Sequence, residues 1–214
     1  MKVGIIGTGM VGATLGSKLI QLGHEVKMGS RTANNEKAVS WAKQNGSHAS
    51  FGTFADAASF GEVVFNCTAG TVSLAALNSA GASNLKGKVL VDVANPLDFS
   101  KGMPPTLAVC NSDSLGEQIQ RAFPNVKVVK ALNTMNCTVM VEPSLVPGEH
   151  DAFVCGNDAQ AKAKVVDILK SFGWRSVIDL GDVSAARGTE MLLPIWLRLW
   201  ELYQNRPFNF RIAR

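Results

Sequence analysis

The stretch "KVGIIGTGMVG", Lys2 to Gly12, decides how this 214-residue chain is read. A strand-like run, "KVGII", passes directly into glycines at 7, 9 and 12 and then into a helical pattern. At this spacing each glycine has its own role. Gly7 permits a tight turn, Gly9 lets backbone approach a phosphate group, and Gly12 lets helix and strand pack closely. The helix start offers unpaired N–H groups and a positive dipole end, which favour an anion. Strand, glycine turn and helix in that order predict a dinucleotide-binding βαβ unit.

Working outward, the same rhythm repeats. The runs "KVGIIG", "EVKMGS", "EVVFNCT", "KVLVDVANP" and "VKVVKALN" read as strands buried on both faces. Met10–Leu22, Asn34–Gln44, Val72–Ala80 and Leu115–Phe123 read as the helices between them. Parallel strands need such crossovers, and the crossovers cover both faces of the sheet. The expected class is therefore α/β, a Rossmann-type doubly wound, mostly parallel sheet. Beyond it, "SLVPGEHD" is a loop, "AFVCG" a strand, Asp158–Phe172 a helix and "WRSVIDLG" a strand. These predict a C-terminal strand–helix–strand extension of the sheet. Ala185–Tyr203 predicts a long C-terminal helix interrupted by Pro194, followed by the tail "QNRPFNFRIAR". No linker composition separates the parts, so a single domain over 1–214 is expected, with its core in 1–140 and the extension and helix in 141–214.

The end of the second strand chooses the cofactor. A carboxylate there would bond the adenosine ribose hydroxyl of NAD and repel a 2′-phosphate. This chain has Ser30 and Arg31 instead. A guanidinium pairs with phosphate in a forked geometry and stacks on adenine, and a serine hydroxyl adds a donor. Lys37 adds a point charge further on. Glu25 and Glu36 are badly placed for the ribose. The cofactor expected is NADP.

Composition narrows the partners. Hydrophobic residues make up 46% and charged residues 18%, and the formal net charge is +4. No Lys/Arg run points to nucleic acid. "MLLPIWLRLW" is too short to span a bilayer and contains Arg198, and the N-terminal run lacks a cleavage pattern. Cys67, Cys110, Cys137 and Cys155 form no CxxC pair, so free thiols, a reducing cytoplasmic setting and no metal site are expected.

Together "GTGMVG", "GSR", "NPL", "KALNT" and "DLGDVSAARGTEMLLP" resemble, in order, the small NADP-dependent oxidoreductases related to the reduced-F420:NADP oxidoreductases. The NADPH-binding domain of the STEAP metalloreductases is similar too. The resemblance implies a diphosphate turn at Thr8, Gly9, Met10 and Val11, and a 2′-phosphate site at Ser30, Arg31 and Lys37. It implies that Thr68, Ala69 and Gly70 flank the cofactor, that Ala94, Asn95 and Pro96 lie by the nicotinamide, and that Asn133 and Thr134 close the same face. Phe208 and Phe210 resemble a segment returning toward the acceptor pocket. Two departures point to a differently shaped pocket: "CTAGT" stands where relatives often carry Pro and an aromatic, and Asn133 where some F420-linked members have His.

No catalytic acid–base residue is expected. An alcohol dehydrogenase must move a proton with the hydride, yet His24 and His48 sit in turns away from the predicted cofactor face. His150 precedes a strand, and Lys130 reads as a strand end. A deazaflavin (F420) or flavin takes hydride directly, leaving the protein to align two rings. The predicted activity is hydride transfer between NADP(H) and such an acceptor. Alternatives are reduction of a small carbonyl, imine or metal chelate, and a non-catalytic NADP(H)-sensing module. Because "TEMLLPIWLRLWELY" is apolar nearly all round, a homodimer through this helix is expected.

Overall fold

A computed structural model describes residues 1 to 213; Arg214, the end of the tail, lies outside the described residues. The first half runs β1 (Lys2–Ile6), α1 (Met10–Gln21), β2 (Glu25–Ser30), α2 (Glu36–Asn45), β3 (Ala49–Thr53), α3 (Phe54–Phe60), β4 (Val63–Asn66), α4 (Gly70–Ala80), α5 (Ala82–Leu85) and β5 (Val89–Asp92). A small hairpin follows, β6 (Leu97–Asp98) and β7 (Thr106–Leu107), then α6 (Leu115–Ala122), β8 (Lys127–Ala131) and α7 (Cys137–Val141). The extension is β9 (Ala152–Gly156), α8 (Ala159–Ser171), β10 (Val177–Asp179), α9 (Ala186–Met191) and α10 (Leu193–Leu202).

Eight strands form one sheet in the order β10-β9-β8-β5-β4-β1-β2-β3. From β3 across to β8 every pairing is parallel; β9 turns antiparallel to β8, and β10 runs parallel to β9. Strand order reverses between β1 and β4, and a crevice at the carboxyl ends of the strands is where such sheets take ligands. β4 and β5 are buried along their whole length, as the continuous apolar runs require. One core lies on each face. Leu15, Leu19, Trp41, Val165 and Leu169 belong to one, and Phe54, Leu77, Leu85 and Ile119 to the other.

The expected helices form with small shifts at their ends. Asn35 caps α2 by accepting from Lys37 and Ala38 N–H, and Asp158 caps α8 through Ala161 N–H. The long C-terminal helix divides at Leu192, two residues before Pro194, which brings no N–H to the ladder. β3 and α3 were not predicted. "ASFGT" is an edge strand with one buried residue, and "FADAASF" buries Phe54, Ala57 and Ala58 over a stretch too short to show a helical period. A signal was present, however: Thr53 and Asp56 form a reciprocal capping box.

Candidate functional site

The three glycines separate by their surroundings. Gly7 has φ of 121°, and a Cβ there would stand 2.7 Å from the Cys67 carbonyl oxygen. A Cβ on Gly12 would stand 2.5 Å from the Gly7 carbonyl oxygen. Both positions therefore need glycine for the fold itself. Gly9 does not: a Cβ there would meet nothing within 4 Å. Gly9 caps α1 with no side-chain bond, and the first turn carries no acidic residue. A positive helix end thus opens on free space, which fits a diphosphate.

At the end of β2, Ser30 is buried and its hydroxyl donates to the Thr32 carbonyl. The expected free donor is therefore engaged in a local turn. Arg31 and Lys37 are exposed. Among the described residues neither is held in an ion pair. Unneutralised cations at Arg31, directly after β2, and at Lys37, in the first turn of α2, suit an anionic group.

A cleft of about 360 Å³ opens at the carboxyl ends of β4, β5 and β8. It gathers Met10, Val11, Thr68, Ala69, Gly70, Ala94, Asn95 and Asn133 from the expected set. Pro96 and Thr134 are buried and do not line it, and the Gly7–Gly9 turn and Ser30, Arg31 and Lys37 lie outside it. Gly70 is required by packing, because a Cβ there would come within 2.2 Å of the Asn95 carbonyl oxygen. Asn95 donates to the Asn133 carbonyl at 2.7 Å, while the Asn133 amide donates to Asn95 Oδ1 at 2.9 Å. This reciprocal pair joins the loops after β5 and β8. Leu132, buried with φ of 63°, turns the chain so that Asn133 can reach back.

Beneath the cleft lies a buried polar network. Lys130 Nζ donates to Asp92 Oδ2 at 2.8 Å and to the Ala94 carbonyl at 2.6 Å, and pairs with Glu190 Oε1 at 2.7 Å. Asp92 Oδ1 accepts from Asn66 at 2.8 Å, and Thr68 donates to Asn66 Oδ1 at 2.7 Å. Glu190 also accepts from the N–H groups of Leu115 and Gly116, at the start of α6. Burial works against the Lys130 charge, but the Asp92 and Glu190 carboxylates outweigh it and hold the ammonium above the ordinary lysine value. Lys130 is thus an internal residue of β8 tying elements together, and it does not line the cleft. Its strand pattern could reveal a buried cation, but Glu190, sixty residues away, carried no sequence signal.

The histidines stand apart from this cleft. His150 contacts the Pro143 carbonyl and the Asn209 amide and meets Trp174 edge-on, lining a different cavity. His24 lies beside the N-terminus, and burial, then that positive charge, lower its pKa. The unexpected wall comes from α10, whose Leu193, Trp196 and Leu197 face the cleft at i, i+3 and i+4 spacing. Leu97 and Phe99 of the hairpin add a further side. Phe208 stacks on Trp196 at 5.5 Å and meets Phe210 edge-on at 6.4 Å, so the tail supports this wall from behind without lining the cleft.

A parallel sheet whose strand order reverses at a glycine turn, with no carboxylate at the end of β2, defines a Rossmann-type dinucleotide-binding protein. Residues 2–96 match the family described as NADP oxidoreductase coenzyme F420-dependent. The F420-dependent NADP reductase of Methanocaldococcus jannaschii is 30% identical over 222 residues, covering 100% of this chain and 98% of that protein. The chain belongs to this family, and it is an NADP-dependent oxidoreductase. A crystal structure from Arthrobacter sp. FB24, solved as a candidate F420-dependent NADP-reductase, superposes with a TM-score of 0.95 at 54% identity, each chain fully covered. Metalloreductase STEAP3 of Rattus norvegicus is 29% identical over 201 residues, 91% of this chain but 38% of that protein. Among the described residues no helix is long and apolar enough to cross a membrane.

Proposed function

We propose that this chain transfers hydride between NADP(H) and a deazaflavin of the F420 type or a closely similar flavin. One observation carries the reading. Among the described residues the cleft is lined by apolar and neutral polar side chains, with no carboxylate, histidine, lysine or arginine. Its titratable groups are the thiols Cys67 and Cys137, and burial raises the Cys67 pKa far above neutrality. Reduction of a carbonyl would call for a positioned proton donor. A planar ring that accepts hydride needs alignment and exclusion of water. NADP(H), when bound, supplies or takes up the hydride at its nicotinamide. On this reading Gly7 to Gly12 bind the diphosphate, and Arg31 and Lys37 the 2′-phosphate. Thr68 to Gly70, Ala94 to Pro96 and Asn133 with Thr134 surround the nicotinamide. The deciding experiment follows NADPH oxidation against F420, FAD, FMN, ferric chelates and small carbonyls. F420 or a flavin should be turned over, and turnover with carbonyls or ferric chelates alone would defeat the proposal.

Two expected results belong to the same reading. Arg31→Glu should weaken NADPH binding by about 2 kcal/mol or more, because a charge-assisted pair becomes a repulsion. NADH should lose far less; equal losses in titration calorimetry would refute the phosphate assignment. The C-terminal helix also supports a homodimer, with a second copy of this chain as the partner. Leu193 alone is buried in α10, while Ile195 is 48% and Leu202 69% exposed. An apolar helix left this open is stabilised by covering it. Ile195→Glu with Leu202→Glu should give a monomer by sedimentation that still binds NADPH. A wild-type monomer at micromolar concentration would end the dimer reading.

A further inference from the structure

The cluster at Lys130 holds two carboxylates against one ammonium, all three side chains no more than 1% exposed. Its attachment to the cleft is direct. Ala94 lines the cleft, its carbonyl accepts from Lys130, and its N–H donates to Asp92 Oδ1 at 3.3 Å. Both backbone groups of a cleft residue are thus bonded to the cluster. The neighbouring charges cancel, because Arg187 forks onto Glu117. The start of α6 offsets part of the Glu190 charge but adds no full positive unit. Burial raises the Glu190 pKa while Lys130 and the Leu115 N–H oppose that rise; with Glu190 ionised, the two carboxylates exceed the one ammonium, and an excess of negative charge lies behind Ala94 where water cannot screen it.

From this we infer that Asp92, Lys130 and Glu190 form an electrostatic positioning group that favours oxidised NADP over NADPH in the cleft. The inference rests on the nicotinamide lying at Ala94 and Asn95. The oxidised ring carries a positive charge and the reduced ring does not, so a fixed negative charge nearby attracts only the first. Tighter binding of the oxidised form makes the bound couple the stronger hydride donor, a direction suited to reducing the acceptor. No residue of the cluster lines the cleft; the group acts through its field and through Ala94.

The test compares dissociation constants for NADP+ and NADPH, measured without any acceptor. Glu190→Gln removes one negative unit and should weaken NADP+ by about fivefold more than NADPH, taking an effective dielectric constant near 20. Asp92→Asn should shift the ratio the same way, and it carries the test if Glu190→Gln does not fold. Glu190→Asp keeps the charge and should keep the wild-type ratio. A merely structural role would change both constants by one factor, and that result overturns the inference. A Glu190→Asp shift equal to that of Glu190→Gln overturns it as well. A wild-type protein that binds NADPH no better than NADH would instead overturn the 2′-phosphate assignment, and the Glu190→Gln ratio, read with NAD+ and NADH, would still judge the cluster.

Discussion

Gly9→Val should leave a folded protein that has lost at least about a hundredfold in NADPH affinity, roughly 3 kcal/mol. The backbone at Gly9 has φ of −77° and ψ of −179°, which a valine adopts, and the new side chain would enter open space. Loss of the glycine cap should cost at most about 1 kcal/mol of stability. What the side chain removes is room for an anion to reach the first N–H groups of α1. Gly12→Ala provides the contrast. Its Cβ would strike the Gly7 carbonyl oxygen at 2.5 Å, so stability and binding should fall together. Thermal denaturation beside fluorescence titration separates the two. Undiminished NADPH binding by Gly9→Val would place the diphosphate elsewhere.

Lys130→Met should be the most destabilising single change at this site. Methionine fills a similar volume but leaves Asp92 and Glu190 as buried carboxylates without their cation. Breaking such a group by removing one partner costs about 3–5 kcal/mol, a fall in melting temperature of roughly 10 °C for a domain of this size. The loss should shrink in acid. Burial already raises the Glu190 pKa and Lys130 opposes that rise, so without the ammonium it rises further, and the folded variant gains stability relative to the unfolded chain as pH falls through that range. Adding Glu190→Gln to Lys130→Met should restore part of the stability, since fewer buried charges remain uncompensated. Melting curves at roughly pH 5 and pH 8 provide the check. A wild-type melting temperature for Lys130→Met at the higher pH would refute the reading.

Much of the architecture was legible along the chain because its signals are local. A run such as "KVLVDVA" must be covered on both faces, and "GTGMVG" must turn sharply into a helix. Asn35 and Asp158 mark helix starts by bonds that span two or three residues. β3 escaped because it is an edge strand that buries one residue, and α3 because its three buried residues, Phe54, Ala57 and Ala58, fall within seven positions, too few to show a helical period. For the proposed site the sequence signals come from backbone chemistry, at Gly7, Gly9 and Gly12, and from a missing carboxylate, at Ser30 and Arg31. The state of Ser30 was not legible, because its hydroxyl turns inward to the Thr32 carbonyl.

By itself the sequence determined a doubly wound sheet, a dinucleotide turn and a preference for a phosphorylated adenosine, since each depends on residues only a few positions apart. Tertiary structure decided the rest. It set Asn95 against Asn133, brought Trp196 to the cleft wall, and closed Glu190 onto Lys130. Those partners are separated by tens of residues. The pairing of β5 with β8 sets the first, and the packing of α9 on α6 and of α10 on α9 the others, which supplies the few ångströms over which a hydrogen bond or an ion pair acts.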